Sequence, residues 1–281
     1  MEEQFVQLCK RGNLDDAKEL LRLYPDINIS YNNERAFFWT CANGYLEVAK
    51  WLLSVKPDIN ISAKDDSAFR YSCMEGHLEV AKWLLQVKPD INISAQDEEA
   101  FRFACLRGHL ELAKWLLEVK PDIKISACDE DAFCSACLNG HFEVVQWLYH
   151  LKPDINKYDI AFMYACESGC LEMTKWLLSV KPDINMSVYN HYAFRTACIH
   201  GILVRELERE LEVAKWLQNL KPYLYVIEYD INGYYTGYKI REKEQAIWEN
   251  RKYALHMTFQ EKTNILYHLP IDISKAVTQF V

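Results

Sequence analysis

Residues 77 to 90 read HLEVAKWLLQVKPD, with Glu79, Lys82 and Gln86 on one narrow polar stripe at 3.6 residues per turn. Leu78, Val80, Ala81, Leu84 and Leu85 fill most of the remaining circumference, the pattern of a helix buried on several sides. Pro89 forbids continuation and pushes Lys88 out of helical backbone. Just upstream, DSAFRYSCMEG predicts another short helix; one unit later its counterpart places Ala100, Phe101 and Cys105 on one side at 100° per residue. Gly76 lies between the two helices, where a tight turn favours a residue without a Cβ. After Pro89 the run DINIS alternates apolar and polar residues, which predicts an extended path to a loop tip such as AKDD. Asp65 and Asp97 then stand where the next helix needs a cap.

This unit recurs. GHLEVAKWLLQVKPDINIS at 76–94 returns as GHLELAKWLLEVKPDIKIS at 108–126. Gly12, Gly44, Gly76, Gly108, Gly140, Gly169 and Gly201 are spaced by 32, 32, 32, 32, 29 and 32 residues. Pro25, Pro57, Pro89, Pro121, Pro153, Pro182 and Pro222 are spaced by 32 four times, then 29, then 40. A fixed period in this range marks a stack in which each unit buries its apolar face only against its neighbours. The units lie near 1–28, 29–60, 61–92, 93–124, 125–156, 157–185 and 186–222, with a C-terminal extension at 223–281.

Helix, glycine turn, helix and loop, with GHLEVAKWLL opening the second helix, resemble the ankyrin repeat over roughly residues 1–222. The resemblance implies an all-α solenoid of about seven helix–turn–helix units that binds a protein partner in a concave groove. The first helix departs from the family's T-P-L-H, reading RAFF, SAFR, EAFR, DAFC, IAFM and YAFR, and KPDIN replaces the Gly-Ala after the second helix. Arg70, Arg102 and Arg195 are placed to take over the loop hydrogen bonds of the missing histidine. The wording EVAKWLL and KPDINIS resembles the ankyrin proteins of giant DNA viruses that infect amoebae.

Composition narrows the function. A net charge of −8 favours neither nucleic acid nor an anionic membrane surface, and no apolar run reaches the length of a membrane span. The acidic start MEEQFVQLCKRGN lacks a signal-peptide core, so a soluble, intracellular and cytoplasmic monomer is expected. Seven of the ten cysteines, Cys9, Cys41, Cys73, Cys105, Cys137, Cys166 and Cys198, stand three residues before a repeat glycine. There a cysteine acts as a compact hydrophobe in a reducing compartment. Cys128, Cys134, Cys137 and His141 fall within fourteen residues at metal-ligand or redox spacing, but Cys137 and His141 also belong to repeat columns. His77, His109 and His141 follow the turn glycine and are expected to satisfy backbone groups at a helix start. No catalytic triad or phosphate loop stands outside the repeat. The expectation is a protein without enzymatic activity, cofactor or metal.

Shared residues build the scaffold, so specificity belongs to the positions that vary. One column before the glycine reads Ala42, Met74, Leu106, Leu138, Glu167, Ile199; its neighbour reads Asn43, Glu75, Arg107, Asn139, Ser168, His200. The resemblance places both in the groove. A third column, Trp39, Tyr71, Phe103, Ser135, Tyr164, Thr196, is shared between groove and packing. The expected partner-binding residues are Tyr71, Met74, Phe103, Leu106, Arg107 and Leu138, since contiguous apolar surface marks a binding site. The alternative is that neighbouring helices cover them. The loop tips KDD, QDEE and CDED offer an acidic rim, with Asp97, Glu98 and Glu99 steering a basic partner or merely stabilising helix starts.

Two breaks interrupt the period. The sixth unit lacks three loop residues, and the seventh gains eight, reading ILVRELERE, where Leu203, Leu207 and Leu211 favour a second helix longer by about two turns. Trp51, Trp83, Trp115, Trp147, Trp176 and Trp216 recur in every unit but the first, which has Glu19; each is expected to pack on the preceding unit. In the tail, Asn232-Gly233 between aromatic runs predicts a hairpin, followed by helix. Leu269, Pro270, Asp272, Ile273, Val277 and Phe280 resemble the opening of an F-box, which implies a ubiquitin-ligase adaptor. The plainer expectation is a cap over the last unit.

Overall fold

The computed structural model describes residues 1–203, 211–222, 224–229 and 235–241. Seven helix pairs follow one another: α1 (Glu2–Lys10) with α2 (Leu14–Leu23), α3 (Tyr31–Ala42) with α4 (Leu46–Val55), α5 (Ala63–Met74) with α6 (Leu78–Val87), and α7 (Ala95–Leu106) with α8 (Leu110–Val119). Then come α9 (Ala127–Leu138) with α10 (Phe142–Leu151), α11 (Tyr158–Glu167) with α12 (Leu171–Val180), and α13 (Val188–Leu203) with α14 (Glu212–Leu220). First helices stack on first helices from unit to unit. One continuous core runs through the stack, with Phe37, Phe69, Phe101, Cys41, Cys73, Cys105, Leu52, Leu84 and Leu116 repeating in register. The fold is the all-α repeat solenoid that the period predicts.

The tryptophans lie across the seams as expected. Trp51 meets Phe5 at 6.1 Å between ring centroids, Trp83 meets Phe37 at 6.3 Å, and Trp147 meets Phe101 at 6.1 Å. Trp176 packs on Phe142 and Tyr149 of the unit before it. Glu19 is exposed and pairs with Arg22.

The loops differ from the expectation. DINIS forms turns rather than an extended run, although its alternation is kept in burial: Ile59 is buried and Ile61 half-buried. Three successive residues then enter the left-handed region, for example Lys64 (φ 54°), Asp65 (φ 55°) and Asp66 (φ 57°). The same turn occurs at 32–34, 96–98, 128–130 and 189–191. Left-handed backbone costs about 1–2 kcal/mol per ordinary residue, so other contacts must hold it. Arg70 supplies two, its Nε donating to the Asp65 carbonyl at 2.8 Å and its Nη2 to the Lys64 carbonyl at 3.0 Å. Arg102 does the same for the carbonyls of Asp97 and Gln96. The arginines therefore take the expected role, except Arg195, which makes no such bond among the described residues.

The third residue of the turn supplies the remaining ties. Asp66 is buried, accepts from Ser62 Oγ at 2.5 Å and from the Asn92 backbone N–H at 3.0 Å. Glu98 accepts from Ser94 Oγ at 2.6 Å and from the Lys124 N–H at 3.4 Å. Asp65 and Asp97 do not cap the following helix; they sit exposed in mid-turn. The sixth unit, shorter by three residues, has no left-handed turn: α11 starts directly after Lys157. Asp66→Ala should cost about 1–3 kcal/mol, because it strands a hydroxyl and a backbone N–H. Asp65→Ala should stay within about 0.5 kcal/mol of wild type. Urea melts of the two variants check this, and equal losses would contradict it.

In the seventh unit Gly201 does not end the first helix, since α13 continues to Leu203. Residues 204–210, where the longer second helix is expected, lie outside the described residues. After α14, strands β1 (Tyr225–Tyr229) and β2 (Tyr235–Ile240) pair antiparallel, Tyr225 opposite Ile240. They form the expected hairpin, while the Asn232-Gly233 turn itself lies outside the described residues. Tyr225 stacks on Phe194 at 4.2 Å, and its hydroxyl lies 3.0 Å from His191 Nδ1. The helix expected after the hairpin and the F-box-like residues 269–280 also lie outside the described residues.

Candidate partner-binding groove

The ends of the first helices carry the variable columns. Tyr71 and Phe103 are half-buried and meet edge-on at 6.2 Å, and Phe38 continues the aromatic row with a 5.2 Å contact to Tyr71. At its N-terminal end Lys10 Nζ lies 4.0 Å over the Trp39 ring. Met74 and Leu106 are half-buried and Leu138 is 36% exposed, whereas Ala42 is buried. Neighbouring helices thus cover part of the column and leave Met74, Leu106 and Leu138 partly open to solvent. Arg107 is exposed and faces Glu75 of the preceding unit at 3.7 Å. The side chains of Ile199 and His200 lie outside the described residues.

The acidic rim is corrected. Glu98 is only 5% exposed, and its carboxylate ties the left-handed turn to the loop leaving its own unit. Glu99 is paired with Arg70 across the seam. Of the three expected rim acids, Asp97 alone is exposed. Glu98 occupies a loop tip in sequence, yet the turn curls it inward.

The histidine column is also placed differently. Each imidazole reaches back to the end of the preceding unit's first helix, whose backbone at Ala42, Met74 and Leu106 favours the protonated forms of His77, His109 and His141. They lie against helix ends, whose last carbonyls lack helical partners, rather than at helix starts. His109 also closes over Gly76 (φ 81°), where an added Cβ would lie 2.6 Å from the ring. That is a second reason for glycine besides the turn.

Loss of water around these imidazoles is the main cause holding their pKa values below the usual 6.5. A lowered folded pKa means that the unfolded chain binds the proton more readily. The stabilisation is therefore complete above about pH 6.5 and is lost as pH falls through the lowered folded values. Urea melts should show stability falling between pH 7 and pH 5.5. Replacing His77, His109 and His141 by Asn should shrink that fall; an undiminished fall would contradict the assignment.

The cysteine column is buried, with desolvation raising the thiol of Cys9 to about 12 and those of Cys41, Cys73 and Cys105 further. Cys134 is likewise buried and raised to about 12, mainly by desolvation. Cys128 instead sits exposed on the left-handed turn, and the His141 ring closes over Gly108 of the preceding unit. Among the described residues, no three of His, Cys, Asp and Glu are placed together to hold a metal, and no helix is long and apolar enough to cross a membrane.

Paired helices stacked in register, with a variable apolar edge on the first of each pair, define a helical-repeat solenoid. The model of the family described as ankyrin repeats matches three times, at residues 5–97, 90–159 and 133–222. The chain belongs to the ankyrin-repeat family, whose repeats generally mediate protein–protein interaction. No curated protein matches the chain.

Proposed function

We propose that residues 1–222 form a non-catalytic scaffold that holds a protein partner against the ends of its first helices. The observation that carries this is the row of partly exposed apolar side chains Met74, Leu106 and Leu138, on the same helices as the Tyr71–Phe103 ring pair or the next one. Binding energy concentrates in a few desolvated side chains near the centre of an interface, and these five occupy the middle of the array. Arg107 adds a polar neighbour at the margin. A column of buried, desolvated thiols suits a reducing cytoplasm, and the protein is taken to act as a monomer. The segment 223–281 is taken as a cap, supported by the stacking of Tyr225 on Phe194. The adaptor reading rests on residues 269–280 alone, and the viral resemblance on EVAKWLL and KPDINIS alone.

Affinity purification with the full chain and with a 1–222 truncation, followed by mass spectrometry, tests these readings together. The scaffold reading expects the same partner from both, and loss of that partner from Leu106→Asp. Ubiquitin-ligase components lost only from the truncation would favour the adaptor.

A further inference from the structure

Across several seams of the stack, the protein's own carboxylate meets a cation from the adjoining unit. Arg35 Nη1 donates to Glu3 Oε2 at 2.8 Å between the first and second units, and Arg70 pairs with Glu99 between the third and fourth. Arg102 Nη1 lies 2.6 Å from Asp131 Oδ2 at the next seam, and Lys157 Nζ lies 2.7 Å from Asp129 at the one after.

The seam between the second and third units breaks this series. The residue equivalent to Glu99 and Asp131 is Ser67, whose hydroxyl donates to the Ala63 carbonyl of its own helix at 3.1 Å. The residue equivalent to Arg70 and Arg102 is Phe38, set edge-on to Tyr71. A cavity of ≈ 260 Å³ remains there, lined among others by Arg35, Phe38, Lys64, Ser67, Arg70 and Tyr71. None of its lining residues is acidic, in a chain whose net charge is −8. Lys64 is exposed and has no ion pair among the described residues. Arg35 spends only Nη1 on Glu3, leaving guanidinium donors free.

We propose that this cavity receives a carboxylate side chain from an acidic peptide segment of the partner, lying beside the apolar edge of Tyr71, Met74 and Leu106. The proposal deepens the groove reading and rests on it. A glutamate or aspartate from outside would give Lys64 and Arg35 the counter-charge that Glu99 gives Arg70 one seam further on. The Phe38 and Tyr71 rings shield one side from water, which strengthens the attraction relative to an open surface. The polarity is opposite to that suggested by the loop tips, because Glu98 and Glu99 are already committed within the stack.

A random peptide library displayed on phage and selected on the full chain supplies the probes. Selected peptides, resynthesised with a fluorophore, are titrated by polarisation against wild type, Ser67→Glu, Ser67→Gln, Lys64→Glu and Leu106→Asp, with melting curves as the folding control. The proposal expects an Asp or Glu in the selected peptides beside an apolar or aromatic residue. Exchanging that acid for its amide, or using Ser67→Glu or Lys64→Glu, should each weaken binding about tenfold. Ser67→Gln, equal in size but uncharged, should bind nearly as wild type.

Selected peptides without an acid, a selection that yields no peptide, or equal losses in Ser67→Glu and Ser67→Gln would overturn the slot. Loss in Leu106→Asp with none in Ser67→Glu keeps the groove and removes the slot. Peptides indifferent to Leu106→Asp overturn the groove reading and the slot with it.

Discussion

Trp83→Ala is expected to lower the stability of the array by about 3 kcal/mol, as removal of a large packed aromatic does. The indole lies half-buried across the seam, 6.3 Å from Phe37 of the preceding unit, and packs on the continuous core. Truncation leaves a void at a seam that no other part of the chain can close, since each unit touches only its neighbours. Glu19 holds the same place in the first unit, where it is exposed and pairs only with Arg22 among the described residues. Glu19→Ala should therefore stay within about 0.5 kcal/mol. Urea melts followed by far-ultraviolet circular dichroism compare the two, because indole fluorescence would confuse the loss of one tryptophan with the response of the others. An uneven melt of Trp83→Ala, with one side of the seam opening first, fits a stack whose cooperativity is local. Equal losses in the two variants would remove the seam contact as a source of stability.

Most of the scaffold was legible because its causes are local or periodic. Helix pairs follow from the spacing of Leu78, Ala81, Leu84 and Leu85, and the seam follows from a tryptophan present in every unit but the first. The left-handed turns were not legible, since even aspartate visits that backbone as single residues, not as a run of three such as Lys64, Asp65 and Asp66. What holds the turn lies elsewhere: Arg70 six residues on, and the Asn92 N–H twenty-six residues on. A loop read alone therefore gives the wrong answer. The three-residue deletion in the sixth unit was a usable signal, because it matches the length of the turn that is missing there.

The side chains proposed for the groove could be picked out in part for a similar reason. Column variation pointed to Met74, Leu106 and Leu138, of which Leu138 is the most exposed. Charge was harder to place. Glu98 and Asp97 are neighbours in sequence, yet one is buried and the other exposed, because the turn rotates them to opposite sides. Phe38, Arg35 and Lys64 escaped notice, although RAFF against SAFR already marked a phenylalanine where later units place arginine. Such a substitution acquires meaning only when the opposing residue, Ser67, is known to face it across the seam.

Leu106→Asp is expected to weaken partner binding by at least about a hundredfold, the effect of losing a central anchor worth roughly 2–4 kcal/mol. Leu106 stands between Met74 and Leu138 on the apolar edge and is half-buried, so a carboxylate there must be desolvated whenever a partner closes over it. In the free protein the same carboxylate can reach water. The exchange leaves the helix backbone unchanged, so the loss of stability should be no more than about 1 kcal/mol. Leu151→Asp is the control: it makes the same exchange at a 45% exposed position on α10, away from the groove, and should leave binding intact. Pull-down of the partner by each variant, quantified against wild type and paired with melting curves, checks the expectation. A Leu106→Asp protein that unfolds would mean that the column chiefly packs one repeat on the next. A folded Leu106→Asp that still holds its partner would move the site off the first helices, towards the cap at Tyr225 or the residues beyond it.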